Sequence, residues 1–86
     1  MCGIFGYIGH QQALPILVEG LRRLEYRGYD STGVAVDDGS SIQTHKTVGK
    51  VADLKAILPN TVNGTRGIAH TRWATHGGVT QVNTHP

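Results

Sequence analysis

The apolar positions along the chain change their spacing several times, and each spacing predicts a different element. Residues 2–8 form a short apolar run closed by Gly9, which predicts a buried strand. After this run, apolar residues recur at steps of three and four with charged residues between them, as on an amphipathic helix. The residues of this stripe are Leu14, Leu17, Leu21 and Leu24. The chain is therefore expected to begin with a strand followed by a packed helix.

The limits of this helix follow from a proline and a glycine. Proline lacks the N–H that a helix interior needs, so Pro15 can lie only in the first turn. The helix should therefore start between residues 12 and 14, and the apolar stripe extends it to about Tyr26. Gly28 then ends it, because glycine adopts a left-handed conformation at little cost.

The remaining pattern predicts a hairpin, a second helix and a further strand. Residues 33–36 alternate weakly, and Asp38-Gly39 is a tight-turn pair, so residues 41–47 should return antiparallel. Residues 50–58 carry apolar side chains on one helical face, and residues 67–71 have the pattern of a strand that leads into a loop. This order of elements fits the α+β class better than alternating parallel units.

Composition narrows the class of protein. The chain has 86 residues and one cysteine, which excludes an internal disulfide framework, fits a reducing compartment and predicts a cytoplasmic location. No apolar run approaches the ~18 residues of a membrane span. The net charge of +2 comes without a basic stripe, and the densest cluster, Arg22-Arg23, is expected on solvated helix surface. We therefore expect neither a membrane nor a nucleic acid as a partner.

Cys2 has the clearest chemical interpretation. Removal of the initiator methionine, which is favoured before a small residue, would leave a thiol and a free α-amine on one carbon. An α-amine titrates at about pH 7.7–8.0 and a thiol at about 8.5, so the amine is partly free to accept the thiol's proton. A lone cysteine is more often an inert core residue, but position 2 reverses this preference. The sequence thus predicts an N-terminal nucleophile at Cys2.

The first of two polar loops follows the predicted helix. Residues 26–31 bring an arginine, an acid and two phenols together around a glycine. This density fits a functional loop held by regular elements. It fits equally well a helix cap with an Arg27–Asp30 ion pair.

The second polar loop, residues 72–78, follows the last predicted strand. The guanidinium of Arg72 can grip a carboxylate by two parallel hydrogen bonds. The hydroxyl of Thr75 and the imidazole of His76 can complete a polar pocket, and the indole of Trp73 can close over it and exclude water. Together with a nucleophile at Cys2, this loop predicts a small pocket for a substrate that bears a carboxylate.

Three stretches of the chain carry a family pattern. They are Cys2-Gly3-Ile4-Phe5-Gly6, then Leu24-Glu25-Tyr26-Arg27-Gly28-Tyr29-Asp30-Ser31, then Gly67-Ile68-Ala69-His70-Thr71-Arg72-Trp73-Ala74-Thr75-His76-Gly77. They closely resemble the glutaminase domain of glucosamine-6-phosphate synthases, which are class II glutamine amidotransferases. The first stretch is shared by the whole class, whereas Tyr26, Tyr29 and Trp73 favour the hexosamine branch. The resemblance extends across essentially all 86 residues.

The resemblance implies two catalytic residues. Cys2 would attack the side-chain amide of glutamine, form a glutamyl thioester and release ammonia. Its own α-amine would move the proton. Arg27 would lie beside the nucleophile and help to organise it.

The resemblance also implies the glutamine-binding residues. Arg72 would hold the α-carboxylate of glutamine, and Thr75 and His76 would complete that end of the pocket. Trp73 would open the loop that folds over glutamine and would help to gate the passage of ammonia. No metal or organic cofactor is implied.

The fold implied by the resemblance is the αββα four-layer sandwich of Ntn hydrolases. Residues 1–86 would be an N-terminal portion of the glutaminase domain, with the rest of it and the sugar-isomerase domains following Pro86. The family's oxyanion-hole residues would lie in that later part, and losing such a donor costs about 10²–10³ in rate, so residues 1–86 alone should be nearly inactive. The ammonia would convert fructose 6-phosphate to glucosamine 6-phosphate, in a homodimer.

Three alternatives remain. The ammonia could go to another acceptor, such as a phosphoribosyl sugar. The module could bind glutamine without turnover, although an intact Cys2 and Arg72 argue against this. A third possibility is a metal site built from His70, His76 and His85, whose spacing fits no familiar zinc pattern.

Overall fold

The computed structural model describes residues 2–74 and 77–86, and at Arg27 the backbone alone. In chain order the elements are β1 (Gly3–Ile8), α1 (Ala13–Arg23), a 3₁₀ turn (Glu25–Arg27), β2 (Ser31–Asp37), β3 (Ile42–Val48), α2 (Val51–Ile57) and β4 (Arg66–Arg72). The predicted hairpin, second helix and last strand are thus confirmed. Neither described helix combines the length and the hydropathy that crossing a membrane requires.

The four strands form one antiparallel sheet in the order β1-β4-β2-β3. The last strand, β4, lies between β1 and β2, so that Thr71 has Gly3 on one side and Thr32 on the other. Because the first and last strands are antiparallel neighbours, the start of β1 lies beside the end of β4. This pairing brings Cys2 next to the Arg72 end of the sheet.

The β2–β3 hairpin is closed by the predicted turn. The carboxylate of Asp38 accepts the backbone N–H groups of Ser40 and Ser41, both at 2.8 Å, and these bonds lower the pKa of Asp38 to about 2. Gly39 has a φ of 96°, a conformation that favours glycine. Local turn chemistry therefore accounts for the hairpin.

Both helices cover one face of the sheet. Strand side chains alternate between faces, so Val34, Val36 and Ala69 all point toward the helices. Leu17 and Leu21 of α1 are fully buried against them. The buried apolar residues are Ala13, Leu14, Leu17, Leu21, Val34, Val36, Val51, Leu54, Val62 and Ala69. Burial of each larger side chain stabilises the fold by about 1.5–3 kcal/mol.

The opposite face of α1 is charged and solvated, as predicted. Glu19 accepts hydrogen bonds from Arg22 at 2.7 and 2.9 Å and from Arg23 at 3.4 Å. The Arg22 guanidinium, and then Arg23, lower the pKa of Glu19 to about 2. All three side chains lie in solvent, so the pairs contribute little to stability.

The prediction that α1 continues to about Tyr26 is wrong, since the α-helix ends at Arg23. Leu24 turns the chain into the 3₁₀ turn, and its Cδ1 lies 3.0 Å from where a Cβ on Gly3 would be. Packing of Leu24 over the start of β1 therefore competes with continuation of the helix. Gly28, at φ 75°, ends the 3₁₀ turn rather than α1.

The prediction that β1 is a buried strand is also wrong. Phe5 and Tyr7 face the helices, but Ile4 and Ile8 are 76% and 80% exposed on the opposite face. A continuous apolar run does not distinguish a strand buried on both faces from a strand buried on one. Alternate side chains of β1 point to opposite faces, and the described helices cover only one face.

Gly20 marks the closest approach of α1 to the sheet. A Cβ at this position would lie 2.5 Å from the ring atoms of Phe5. We expect Gly20→Ala to lower the free energy of unfolding by about 1–2 kcal/mol, because overpacking outweighs the better helix propensity of alanine. Chemical denaturation checks this. Gly6→Ala is the control, since its Cβ would meet only one atom, at 3.8 Å. Equal midpoints for the two variants would contradict the expectation.

Candidate active site

Cys2 lies immediately before β1, with its thiol exposed. The backbone N–H of Trp73 donates to Cys2 Sγ at 3.3 Å, and the thiol donates to the Trp73 carbonyl at 3.7 Å. The chain can approach β4 this closely because Gly3 has no side chain. A Cβ there would lie 2.9 Å from Thr71 Oγ1. The thiol is thus both accessible and held in place, as a nucleophile requires.

Arg72 is the last residue of β4 and is only 5% exposed. Burial of a guanidinium is costly unless its donors are engaged. One η nitrogen donates to the carbonyl of Gly78 at 2.9 Å. The cation therefore lies at the end of the strand and also holds the chain that follows the loop.

Trp73 follows Arg72 and is half-exposed, at 49%. Its indole lies over Gly28, where a Cβ would be 3.8 Å from Trp73 Cζ3. The ring therefore joins the loop after β4 to the loop after α1.

Residues 77–86 form a segment that crosses the open face of the sheet. Thr84 is buried, and its carbonyl accepts a hydrogen bond from Lys46 Nζ at 3.0 Å. A Cβ on Gly33 would collide with the carbonyl of His85 and lie 2.8 Å from Lys46 Cβ. Gly33 therefore lets the segment contact the sheet and form a wall beside Cys2.

His70 lies on this open face, two residues before Arg72 on the same strand. Its ring packs edge-to-face on His85, with 4.9 Å between centroids. Burial, and then the charges of His85 and Arg72, lower the pKa of His70, which favours the neutral imidazole. Its Nδ1 is buried and has no hydrogen-bond partner among the described residues.

These elements surround a cleft of 570 Å³, within the ~300–1,000 Å³ range of small-molecule sites. The residues that line it are Cys2, His70, Arg72, Trp73, Gly77, Val82, Asn83 and His85. On this cleft the thiol can attack a carbonyl carbon while the guanidinium binds a carboxylate of the same substrate.

The structure brings together three of the predicted site residues, Cys2, Arg72 and Trp73. The side chain of Arg27 lies outside the described residues, and its backbone forms the end of the 3₁₀ turn. Thr75 and His76 also lie outside the described residues. The roles suggested for all six residues remain predictions.

Three residues of the cleft, His70, Asn83 and His85, were not predicted to belong to it, and the two histidines were considered only as metal ligands. The alternation of side chains along a strand could have indicated His70, because residues two apart on a strand, such as His70 and Arg72, point to the same face. No local pattern placed Asn83 and His85, which reach the cleft through the docking of residues 77–86. Among the described residues, no three histidine, cysteine or acidic side chains are grouped as around a metal.

Asp30 lies in the first polar loop, and its predicted ion pair with Arg27 stays untested because the Arg27 side chain lies outside the described residues. Its carboxylate accepts the N–H of Ala74 at 2.7 Å and the hydroxyl of Ser31 at 3.1 Å. The neighbouring Tyr29 hydroxyl accepts the N–H of Val51 at 2.9 Å and donates to Glu25. The loop after α1 is therefore tied to α2 and to the second polar loop, residues 72–78, which we call the pocket loop.

The chain is similar to curated proteins over its whole length. It is 56% identical to glutamine--fructose-6-phosphate aminotransferase (isomerizing) from Geobacillus kaustophilus over 86 residues. The same-named proteins of Bacteroides thetaiotaomicron and Idiomarina loihiensis are 57% and 58% identical over 88 residues. In each case the match covers 100% of this chain, which spans 14% of the relative's length. No protein-family model matches the chain.

Among solved structures, glutamine phosphoribosylpyrophosphate amidotransferase from B. subtilis, in complex with ADP and GMP, has a similar fold. The TM-score is 0.83 at 30% identity, and the match covers 100% of this chain and 18% of that one. This likeness confirms the predicted α+β, Ntn-hydrolase fold class. The described residues supply one helical layer and one sheet of that architecture.

Proposed function

We propose that the chain is an N-terminal segment of a glutamine--fructose-6-phosphate aminotransferase, which its 56–58% identity to three proteins of that name supports, and that its site releases ammonia from glutamine with Cys2 as the nucleophile. The observation that carries this proposal is the exposed Cys2 sulfur, held by the Trp73 N–H at 3.3 Å on the same cleft as the buried Arg72. Residues 1–86 would form the N-terminal portion of the glutaminase domain.

The reaction begins when the thiol sulfur attacks the side-chain amide carbon of glutamine. The thiol's proton passes to the α-amine of Cys2, which is free once Met1 is removed, and from there to the departing nitrogen. The carbon–nitrogen bond breaks, ammonia leaves and a glutamyl thioester remains. Water then attacks the thioester, glutamate leaves and the thiol recovers its proton.

Substrate orientation depends on the cation at the end of β4. Arg72 binds the α-carboxylate of glutamine, and Thr75 and His76 complete that end of the pocket. Trp73 closes over the bound substrate, a role supported by its exposed position on the cleft. Arg27 organises the region around the thiol from the 3₁₀ turn.

The ammonia acceptor is fructose 6-phosphate, which is converted to glucosamine 6-phosphate in sugar-isomerase domains beyond the described chain. The names of the relatives support this acceptor. The protein acts as a homodimer. It lies in the cytoplasm, since the single cysteine of these 86 residues fits a reducing compartment. No nucleic acid, membrane or cofactor takes part.

An electrophilic glutamine analogue tests the proposal on the full-length protein. We expect an intact mass without Met1 and a single adduct on Cys2 that excess glutamine prevents. Retention of Met1, or labelling that excess glutamine does not prevent, would favour a glutamine-binding module without turnover.

A phosphoribosyl acceptor is the second candidate. The solved amidotransferase of similar fold supports it, but at 30% identity against 56–58% for the aminotransferases. Ammonia-dependent synthesis with fructose 6-phosphate and with a phosphoribosyl pyrophosphate distinguishes the two. Product from the phosphoribosyl substrate alone would overturn the assigned acceptor.

A further inference from the structure

Asp30, between the 3₁₀ turn and β2, is held by four hydrogen bonds. Its N–H donates to the Arg72 carbonyl at 2.8 Å, and its Oδ2 accepts the N–H of Ala74 at 2.7 Å. Its carbonyl accepts the N–H of Gly49 at 2.9 Å, and its Oδ1 accepts the hydroxyl of the fully buried Ser31 at 3.1 Å. One residue therefore ties the pocket loop to the start of β2 and to the chain that follows β3.

The two bonds to the pocket loop act on the two peptide groups that flank Trp73. The Arg72 carbonyl, which accepts from Asp30, shares a planar peptide group with the Trp73 N–H that donates to Cys2 Sγ. The Ala74 N–H, which donates to Asp30, shares the next peptide group with the Trp73 carbonyl that accepts from the thiol. Two rigid peptide groups thus connect Asp30 on one side to the cysteine sulfur on the other.

This arrangement fixes the sulfur in direction as well as in distance. Each peptide group donates at one end and accepts at the other, so a bond at the Asp30 end polarises the group and strengthens the bond at the Cys2 end. Rotation of either group would turn its N–H or carbonyl away from the thiol. Asp30 does not line the cleft, so it can act on a bound substrate only through the residues whose backbone it holds.

We propose that Asp30 is a positioning residue for the nucleophile, holding both peptide groups of Trp73 against Cys2 Sγ through hydrogen bonds to Arg72 and Ala74. The inference rests on the proposed role of Cys2. The carboxylate acts here as a hydrogen-bond acceptor, and asparagine can fill that position. Its amide oxygen can face the Ala74 N–H, while its NH₂ group faces the Ser31 hydroxyl, which can accept.

Kinetics of the full-length protein separate positioning from binding. We expect Asp30→Ala to lower kcat for glutamine hydrolysis about 10- to 100-fold while KM for glutamine changes by less than about threefold, because attack geometry is lost and the pocket is kept. Asp30→Asn should stay within about threefold of wild type. Asp30→Glu keeps the charge but displaces the acceptor, and should lose at least about fivefold in kcat. The glutamate variant keeps the test decisive if the alanine variant does not fold.

Asp38→Ala is the matched control, because Asp38 also accepts backbone N–H groups but lies past the opposite end of β2. It should leave kcat unchanged. The proposal would be overturned if Asp30→Ala kept the wild-type kcat or changed only KM. It would also be overturned if the asparagine and alanine variants lost kcat equally.

Hydrogen exchange gives a readout that does not depend on turnover. Exchange at the Ala74 amide, which loses its acceptor, should rise at least about tenfold in Asp30→Ala and stay low in Asp30→Asn, with β2 and β3 unchanged in both. The bond from the Asp30 N–H to the Arg72 carbonyl belongs to the backbone and remains in every variant. If the wild-type protein hydrolyses no glutamine, the proposed function fails, whereas the exchange data still decide whether the Asp30 carboxylate holds the Trp73–Ala74 peptide group. Unchanged exchange in Asp30→Ala would overturn the inference independently of activity.

Discussion

Alanine in place of Cys2 is expected to lower glutamine hydrolysis by the full-length protein by more than about 10³-fold, because no other described residue can form the thioester. Ammonia-dependent synthesis should persist, since free ammonia bypasses the thiol. The two rates, measured side by side, test the assignment.

Cys2→Ser is the matched variant. A hydroxyl keeps a hydrogen-bond partner for the Trp73 N–H but is a poorer nucleophile than a thiol at neutral pH, so activity should stay low. Because the thiol is exposed, neither substitution should change the free energy of unfolding by more than about 0.5 kcal/mol. Substantial hydrolysis by the alanine variant would show that another group attacks the amide.

Methionine in place of Arg72 has the second large expected effect. It keeps much of the side chain's length but removes the charge that we assign to the α-carboxylate of glutamine. We expect kcat/KM for glutamine to fall about 10²–10³-fold, the size of a lost charge-assisted pair at a buried site.

A modified substrate separates this effect from a structural one, because Arg72 also holds the Gly78 carbonyl. Glutamine whose α-carboxylate is converted to an amide carries no charge for the guanidinium to pair with. The substitution should therefore cost this substrate less than about tenfold. Equal losses for both substrates would mean that Arg72 acts on the loop and not on the carboxylate.

Local patterns account for most of the individual elements. The leucine stripe and Pro15 predicted where α1 begins, and the Asp38-Gly39 turn predicted the hairpin, because both depend on residues close in sequence. The spacing failed at the end of α1, where Leu24 packs over Gly3, a contact between residues 21 positions apart. Propensity describes a helix interior but not the tertiary contact that stops it.

The candidate site was predictable in part. Cys2 and Arg72 were identifiable because position 2 and a strand-end arginine have chemical meaning by themselves. For Asp30 a functional role and an ion pair with Arg27 stayed equally open, because its main partners, the backbone groups of residues 72 and 74, are joined to it only by the β2–β4 pairing. A hydrogen bond to a distant peptide group leaves no pattern in the side chains.

The types and order of the elements and the α+β class could be derived from the sequence alone, since each follows from the spacing of neighbouring residues, and the chemistry of position 2 was enough to propose Cys2 as the nucleophile. The insertion of β4 between β1 and β2 and the packing of residues 77–86 over Gly33 become visible only in the folded chain. These arrangements place Cys2, Arg72 and His85 around one cleft. They depend on contacts between residues far apart in the chain, whose free energy appears only when the sheet has formed.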